Sequence, residues 1–267
     1  MASTDAARWY VISLRPQGGH AALRRAAARH GAGLLALSPW RIDMTDDDAT
    51  RAALDAALRA DRVLFTSPAA VRAAKRLARL AILPGQIWLA VGEGTAAALR
   101  RAGIAEVVAP SRMDSEGVLA LPCLNDVQGL GVGLVTAPDG RGLIAPALQA
   151  RGARLRRADV YRRLPAAIPA RAFDRLAQRQ APTVLLLSSG AALDGLLAQA
   201  PPHLQPVLRQ LPVIAASERL ARQAAVHGFL HIHRARGPRP AQLLDAAAAA
   251  VGALRLASDP KPQRSQG

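Results

Sequence analysis

The 267 residues are 51% hydrophobic and carry 35 basic against 19 acidic side chains, a formal charge of +16. That length can bury a sizeable core and suits two domains of roughly 100 to 150 residues each. No uninterrupted apolar run approaches the ~18 residues of a membrane span, and the segment from Met1 to Arg8 lacks the basic-then-apolar pattern of a secretory signal. Cys123 is the lone cysteine, which excludes an internal disulfide and a thiolate metal cluster and reads as a small core residue. A cytoplasmic protein is expected.

A basic excess of this size fits an anionic partner: nucleic acid, an acidic membrane surface or a polycarboxylate. Lys75 and Lys261 are the only lysines, however, and the arginine richness comes with abundant alanine, a pairing that biased composition also produces. Nucleic-acid binders cluster basic residues beside aromatics that stack on bases, whereas aromatics are 3% here and arginine is scattered over helix faces. Neither nucleic acid nor membrane is the expected partner.

In chain order, Tyr10 to Leu14 predicts a strand, followed by Arg15-Pro16 and a helix ending at His30-Gly31. Asp46-Asp47-Asp48 supply an N-cap and first-turn negative charge for the next helix. Val63 to Phe65 predicts a strand passing through Thr66-Ser67 into a helix over Ala69 to Leu80. Ile87 to Val91 leads through Gly92-Glu93-Gly94-Thr95 into a helix ending at Ala102-Gly103-Ile104, and Val107 to Ala109 predicts a short strand stopped by Pro110. Val132 to Val135, then Ala137-Pro138, precede a helix running to Arg151-Gly152. Val184 to Leu187 leads through Ser188-Ser189 into Ala191 to Ala198, and Val213 to Ala216 through Ser217-Glu218-Arg219 into a helix ending at His227-Gly228-Phe229. Ala241 to Leu256 predicts a last helix interrupted by Gly252, and 258–267 a disordered tail.

Three of these units recur about 122 residues apart: Val63 with Val184, Ile87 with Val213, and Tyr10 with Val132. Each is an apolar run, a turn of Gly, Pro, Ser or Thr, and an amphipathic helix closed by glycine. Strands alternating with helices imply right-handed crossovers, hence an α/β fold of two similar lobes, each a mostly parallel sheet flanked by helices. Ligands in such sheets bind beyond the carboxyl ends of the strands, so the turns just named are the candidate binding surface.

Gly92-Glu93-Gly94-Thr95-Ala96-Ala97 matches a dinucleotide glycine pattern, but the following strand carries no acid for a ribose. The same glycines let backbone amides approach any oxyanion at a helix N-terminus. Thr66-Ser67 and Ser188-Ser189 can cap helices, bind a polyanion, or do both. His227, His231 and His233 have no Cys or carboxylate nearby in sequence, so a metal site is not expected. No nucleophile elbow is present. Tyr161, one of two tyrosines, packs or acts as a proton donor.

Taken together, Leu14-Arg15-Pro16, Pro39 to Ile42, Asp61 to Val71 with Phe65-Thr66-Ser67-Pro68, Ala90-Val91-Gly92 with Thr95-Ala96, Ser115-Glu116-Gly117, Gly140-Arg141 and Val160-Tyr161-Arg162 resemble the uroporphyrinogen-III synthase family over residues 9 to 250. The resemblance implies one lobe from 1–38 with 164–257, another from 43–158, and two linker strands at 39–42 and 159–163, with the active site in the interlobe cleft. It implies a cofactor-free, metal-free monomer that closes hydroxymethylbilane, a linear tetrapyrrole with eight carboxylates, with inversion of ring D and loss of water. Tyr161 would assist departure of the hydroxyl. Thr66, Ser67, Gly92, Thr95, Ser115, Gly117, Ser188, Ser189 and Ser217 would hold carboxylates, with Arg15 and Arg141 as charge partners. Glu116 is expected to cap its helix. The chain departs from many relatives at Thr136, where they carry Arg, and at Ser217-Glu218-Arg219, where they carry a Thr-bearing turn. A non-enzymatic protein binding a small anion is the alternative.

Overall fold

A computed structural model describes residues 8–138 and 142–258. The chain opens with β1 (Trp9–Ser13), α1 (Ala21–Arg29), β2 (Ala32–Ala36), β3 (Trp40–Met44), α2 (Asp48–Leu58), β4 (Arg62–Phe65), α3 (Pro68–Leu77), β5 (Ile87–Ala90) and α4 (Glu93–Arg101). Next come α5 (Ser115–Leu119), β6 (Gly131–Thr136), α6 (Ile144–Ala150), β7 (Arg154–Asp159), β8 (Tyr161–Pro165) and α7 (Ala170–Ala177). It closes with β9 (Thr183–Leu187), α8 (Gly190–Gln199), α9 (Gln205–Gln210), β10 (Val213–Ala215), α10 (Glu218–Val226), β11 (Ile232–Arg234) and α11 (Pro240–Ser258). Two compact units result: Met1–Arg41 with Pro165–Gly267, called unit 1, and Ile42–Leu164, called unit 2.

Unit 1 holds a parallel five-stranded sheet in the order β11-β10-β9-β1-β2, and unit 2 a parallel four-stranded sheet in the order β5-β4-β6-β7. Under the sequence repeat, β10, β9, β1 and β2 correspond to β5, β4, β6 and β7, so the two sheets share one strand order. Strand β9 shows why such segments read as continuous apolar runs: all five residues are buried. Alternate side chains serve opposite faces. Leu185 and Leu187 pack with Leu193 and Leu196 of α8, while Val184 and Leu186 pack with Leu23 of α1 and Leu243 of α11. In unit 2, Val63 and Phe65 join Leu54 and Trp88 on one face, and Leu64 joins Val118 and Leu148 on the other. Phe65 stacks on Trp88 at 5.5 Å.

Several local expectations shift. Helix α3 stops at Leu77, three residues short of Leu80, because Ala78 turns extended at φ −149°. The segment Val107 to Ala109 is no strand: only Val108 bridges Leu89, at the place where β11 extends the sheet of unit 1. Gly252 does not break α11, which runs unbroken through Ser258. A single glycine costs about 1 kcal/mol relative to alanine, and the flanking alanines offset it. Asp47 does cap α2, accepting the Thr50 amide at 2.7 Å. Cys123 is half-buried against the second core of unit 2. The tail beyond Ser258 lies outside the described residues.

Candidate functional site

In unit 2, β4 ends at Phe65, and Thr66 and Ser67 carry the chain into α3. Ser67 has the extended backbone of an N-cap, and its Oγ accepts the Ala70 amide at 3.1 Å. The same oxygen lies 2.9 Å from the Tyr161 hydroxyl. Tyr161 opens β8 and is 2% exposed, its ring packed among Phe65, Val135, Ala158 and Val160. Its backbone setting is fixed by Val160, whose amide donates to Thr136 O at 3.1 Å and whose carbonyl accepts from Thr45 at 3.3 Å. Arg163 follows two residues later on the same strand face. Its Nη2 donates to the Tyr161 oxygen at 3.5 Å. The phenol thus sits between a helix-capping hydroxyl and a guanidinium.

Thr66 is committed to its neighbours. Its amide donates to Val135 O at 3.1 Å and its hydroxyl to Thr136 Oγ1 at 2.8 Å, joining the exits of β4 and β6. Thr136 is buried.

Gly92 caps α4 in extended geometry, and its carbonyl accepts from Thr95 and Ala96. A Cβ on Gly92 would stand 3.1 Å from Met113 Cβ, so the turn is closely covered there. Thr95 is 4% exposed inside the helix. Pro68 opens α3 without an N–H and the Ala70 amide goes to Ser67 Oγ, so Ala69 in α3, with Glu93 and Gly94 in α4, are the first-turn amides that lack an intrahelical acceptor at these strand exits.

Around α5, Asp114 and not Glu116 is the cap: its Oδ1 accepts the Gly117 amide at 2.8 Å. Glu116 instead lies 3.7 Å from Arg112. Gly117 is demanded by packing, since a Cβ would fall 1.9 Å from the Arg112 carbonyl oxygen. Ser115 is half-buried as the first residue of α5. Arg141, with Gly140, lies outside the described residues.

In unit 1, Ser189 caps α8 and Ser217 caps α10, both with extended backbones and neither using its side chain for the cap. Ser188 and Ser217 are exposed and Ser189 half-buried. Arg15 follows β1, half-buried, and burial pushes its guanidinium below the usual arginine range. Among the described residues no ion pair or hydrogen bond holds that guanidinium. His227 Nε2 lies 2.7 Å from Asp194 Oδ1, and no group of three ligating side chains occurs among the described residues. A concavity of about 780 Å³ opens between the C-terminal ends of α3 and α4, lined by Lys75, Arg79, Ile82 and Glu106. Because those helices run back along their strands, it lies at the opposite edge of the sheet from the turns above.

Arg163 and Asp114 carry roles that motif reading missed. The i, i+2 spacing of Tyr161 and Arg163 on a strand is the signal that would have found the first. An Asp three residues before a glycine amide is the signal for the second.

A duplicated parallel α/β chain, with helix-capping turns at its strand exits and a phenol within hydrogen-bonding distance of Ser67 and Arg163, defines an α/β protein whose candidate site lies at those exits. The sequence model of the family described as "Uroporphyrinogen-III synthase HemD" matches residues 21–245. The chain belongs to the uroporphyrinogen-III synthase family, whose members act on a small tetrapyrrole in heme biosynthesis. Among solved structures, a mutant uroporphyrinogen III synthase from the extreme thermophile Thermus thermophilus is similar with TM-score 0.58 and 19% identity, over 91% of this chain and 99% of that one. Uroporphyrinogen-III synthetase from Helicobacter pylori is similar with TM-score 0.59 and 13% identity, over 91% and 99%. These similarities establish the shared fold. No helix of the described residues is long and apolar enough to cross a membrane.

Proposed function

We propose that this chain closes hydroxymethylbilane to uroporphyrinogen III with release of water, the reaction of a cyclising hydro-lyase, and that Tyr161 is its proton donor. The observation that carries the reading is the Tyr161 hydroxyl at 2.9 Å from Ser67 Oγ and 3.5 Å from Arg163 Nη2, at the strand-exit edge of unit 2.

The phenol donates its proton to the hydroxyl on the ring A hydroxymethyl group. The carbon–oxygen bond breaks, water departs, and the pyrrole nitrogen's electrons form an azafulvenium cation. Arg163 donates to the phenol oxygen and compensates the charge that develops there as the proton leaves. Ring D then attacks through its substituted carbon, and the spiro intermediate fragments and recloses inverted. The proton lost from the reclosed ring returns to the Tyr161 phenolate, so the balance is substrate to product plus one water.

Without positioning, the linear compound closes uninverted, so much of the task is orientation. In unit 2 the Ala69 amide of α3 and the first-turn amides of α4, with Ser67, and in unit 1 the first-turn amides of α8 and α10, with Ser188, Ser189 and Ser217, supply carboxylate-binding groups for that purpose. Thr66 contributes by fixing the turn, since its donors are spent on Val135 and Thr136. Gly117 does the same for α5. Because Tyr161 is 2% exposed, the reading requires that substrate binding open access to the phenol. The chain is further proposed to work in the cytoplasm as a monomer without cofactor. Nothing in the family match or the fold favours the non-enzymatic alternative.

The test supplies freshly prepared hydroxymethylbilane and separates the type I and type III isomers by chromatography. Type III product above the enzyme-free control is expected; type I alone, at the control rate, would reject the assignment.

A further inference from the structure

Unit 1 contains a buried imidazole that the chemistry above does not use. His20 is 7% exposed at the start of α1, with Nδ1 2.9 Å from Ser13 Oγ and Nε2 2.8 Å from Ser38 Oγ. Ser13 ends β1, and Ser38 lies two residues past β2. The strands are parallel neighbours, Ser13 pairing with Ala36, so the ring spans two adjacent strand exits. Ser13 Oγ also accepts the Arg15 amide, at 3.5 Å. Further along the same turn, the Trp40 indole donates to Leu14 O at 2.9 Å and the Gln17 amide to Trp40 O at 3.0 Å. The segment carrying Arg15 is therefore braced from the imidazole and from the first residue of β3.

A buried histidine with both nitrogens satisfied often does no more than pin a core. This one sits on the strand-exit edge, and one of its two contacts is the oxygen that receives the Arg15 amide. We propose that His20 is a positioning residue that, through Ser13 and Ser38, holds the turn after β1 so that the Arg15 guanidinium meets a substrate carboxylate. This rests on the cyclase reading and on Arg15 as a carboxylate partner. A neutral ring, donating at one nitrogen and accepting at the other, suits two hydroxyls that can each do either. Burial foremost, then Arg24 and Arg15, push the imidazole below its ordinary range and favour that form.

The experiment compares His20→Ala, Ser38→Ala, Arg15→Ala and the double variant Arg15→Ala with Ser38→Ala, each assayed for type III product. His20→Ala and Ser38→Ala are expected to raise KM about tenfold, the equivalent of weakening one charge-assisted hydrogen bond, with kcat held within about twofold. In the Arg15→Ala background, Ser38→Ala should add less than about twofold to KM, because its effect passes through the missing guanidinium. His20→Gln, which keeps a donor and an acceptor, should recover part of the loss. Unchanged KM in Ser38→Ala, or effects of Ser38→Ala and Arg15→Ala that multiply in full, would overturn the proposal. If His20→Ala does not fold, Ser38→Ala decides alone. A wild-type chain forming only type I isomer would sink the cyclase reading itself, a result read before any variant is compared.

Discussion

The Tyr161 hydroxyl lies 2.9 Å from Ser67 Oγ, 94 residues away in sequence, and that oxygen simultaneously caps α3 by accepting the Ala70 amide. One serine side chain therefore serves a helix and a candidate catalytic phenol. Removing it acts on both, and removing the phenol's hydroxyl acts on one.

Tyr161→Phe keeps the ring in its apolar setting and deletes the proton donor. Type III turnover should fall by about 10²- to 10⁴-fold, the usual contribution of a general acid, while substrate still binds. Single-turnover kinetics together with equilibrium binding of a stable substrate analogue check this; undiminished turnover removes Tyr161 from the mechanism.

Ser67→Ala deprives α3 of its cap, at about 1 kcal/mol, and strips the buried phenol of its shortest hydrogen bond, at about 1 to 3 kcal/mol. In the Tyr161→Phe background only the capping loss remains, so the same substitution should cost about 1 kcal/mol there. Urea unfolding of the four chains measures the difference. Equal costs in both backgrounds would mean the Ser67 to Tyr161 contact contributes nothing to stability.

Two glycines should respond oppositely to alanine. A Cβ on Gly133 in β6 would stand 2.0 Å from the Ala57 carbonyl oxygen of α2, so Gly133→Ala should destabilise by about 1 to 3 kcal/mol. A Cβ on Gly94, in the first turn of α4, meets nothing nearer than Pro68 Cγ at 3.8 Å. Gly94→Ala should raise Tm, by the roughly 0.5 to 1 kcal/mol that glycine costs inside a helix. Thermal unfolding of both variants decides; a lower Tm for Gly94→Ala would contradict the space seen beside it.

The pH response of stability should expose His20. Its folded-state pKa lies below the ordinary value, with burial the largest cause, so the unfolded chain takes up the proton first. Stability from this group is complete above about pH 6.5, the ordinary histidine value, and is lost as pH falls from there through the lower folded value. Urea midpoints from pH 7.5 to 5 should decline in the wild type and decline less in His20→Gln. Identical slopes would show that His20 does not titrate with unfolding.

Chain periodicity determined the parallel α/β class and the repeat. Strands buried on both faces, such as Thr183–Leu187, are apolar throughout, and the turns and helices beside them carry local signals that need no tertiary contact to be read. The repeated units foretold that β9 with β4, and β1 with β6, would take equivalent places, because two copies of one pattern have one best strand order. The cap at Asp47 was legible for the same reason: its partner is three residues away.

The tertiary structure alone decided where long-range donors went. Nothing local indicates that the Thr66 hydroxyl is spent on Thr136 or that His20 joins Ser13 to Ser38. A polar side chain bonds whichever partner the packed backbone brings within about 3 Å, and that partner is set by strand pairing and not by neighbours in sequence. Motif spacing told which residue types stand at the strand exits. Packing told which of their hydrogen-bonding groups are already committed: the Thr66 hydroxyl to Thr136, and the Tyr161 hydroxyl to Ser67 and Arg163.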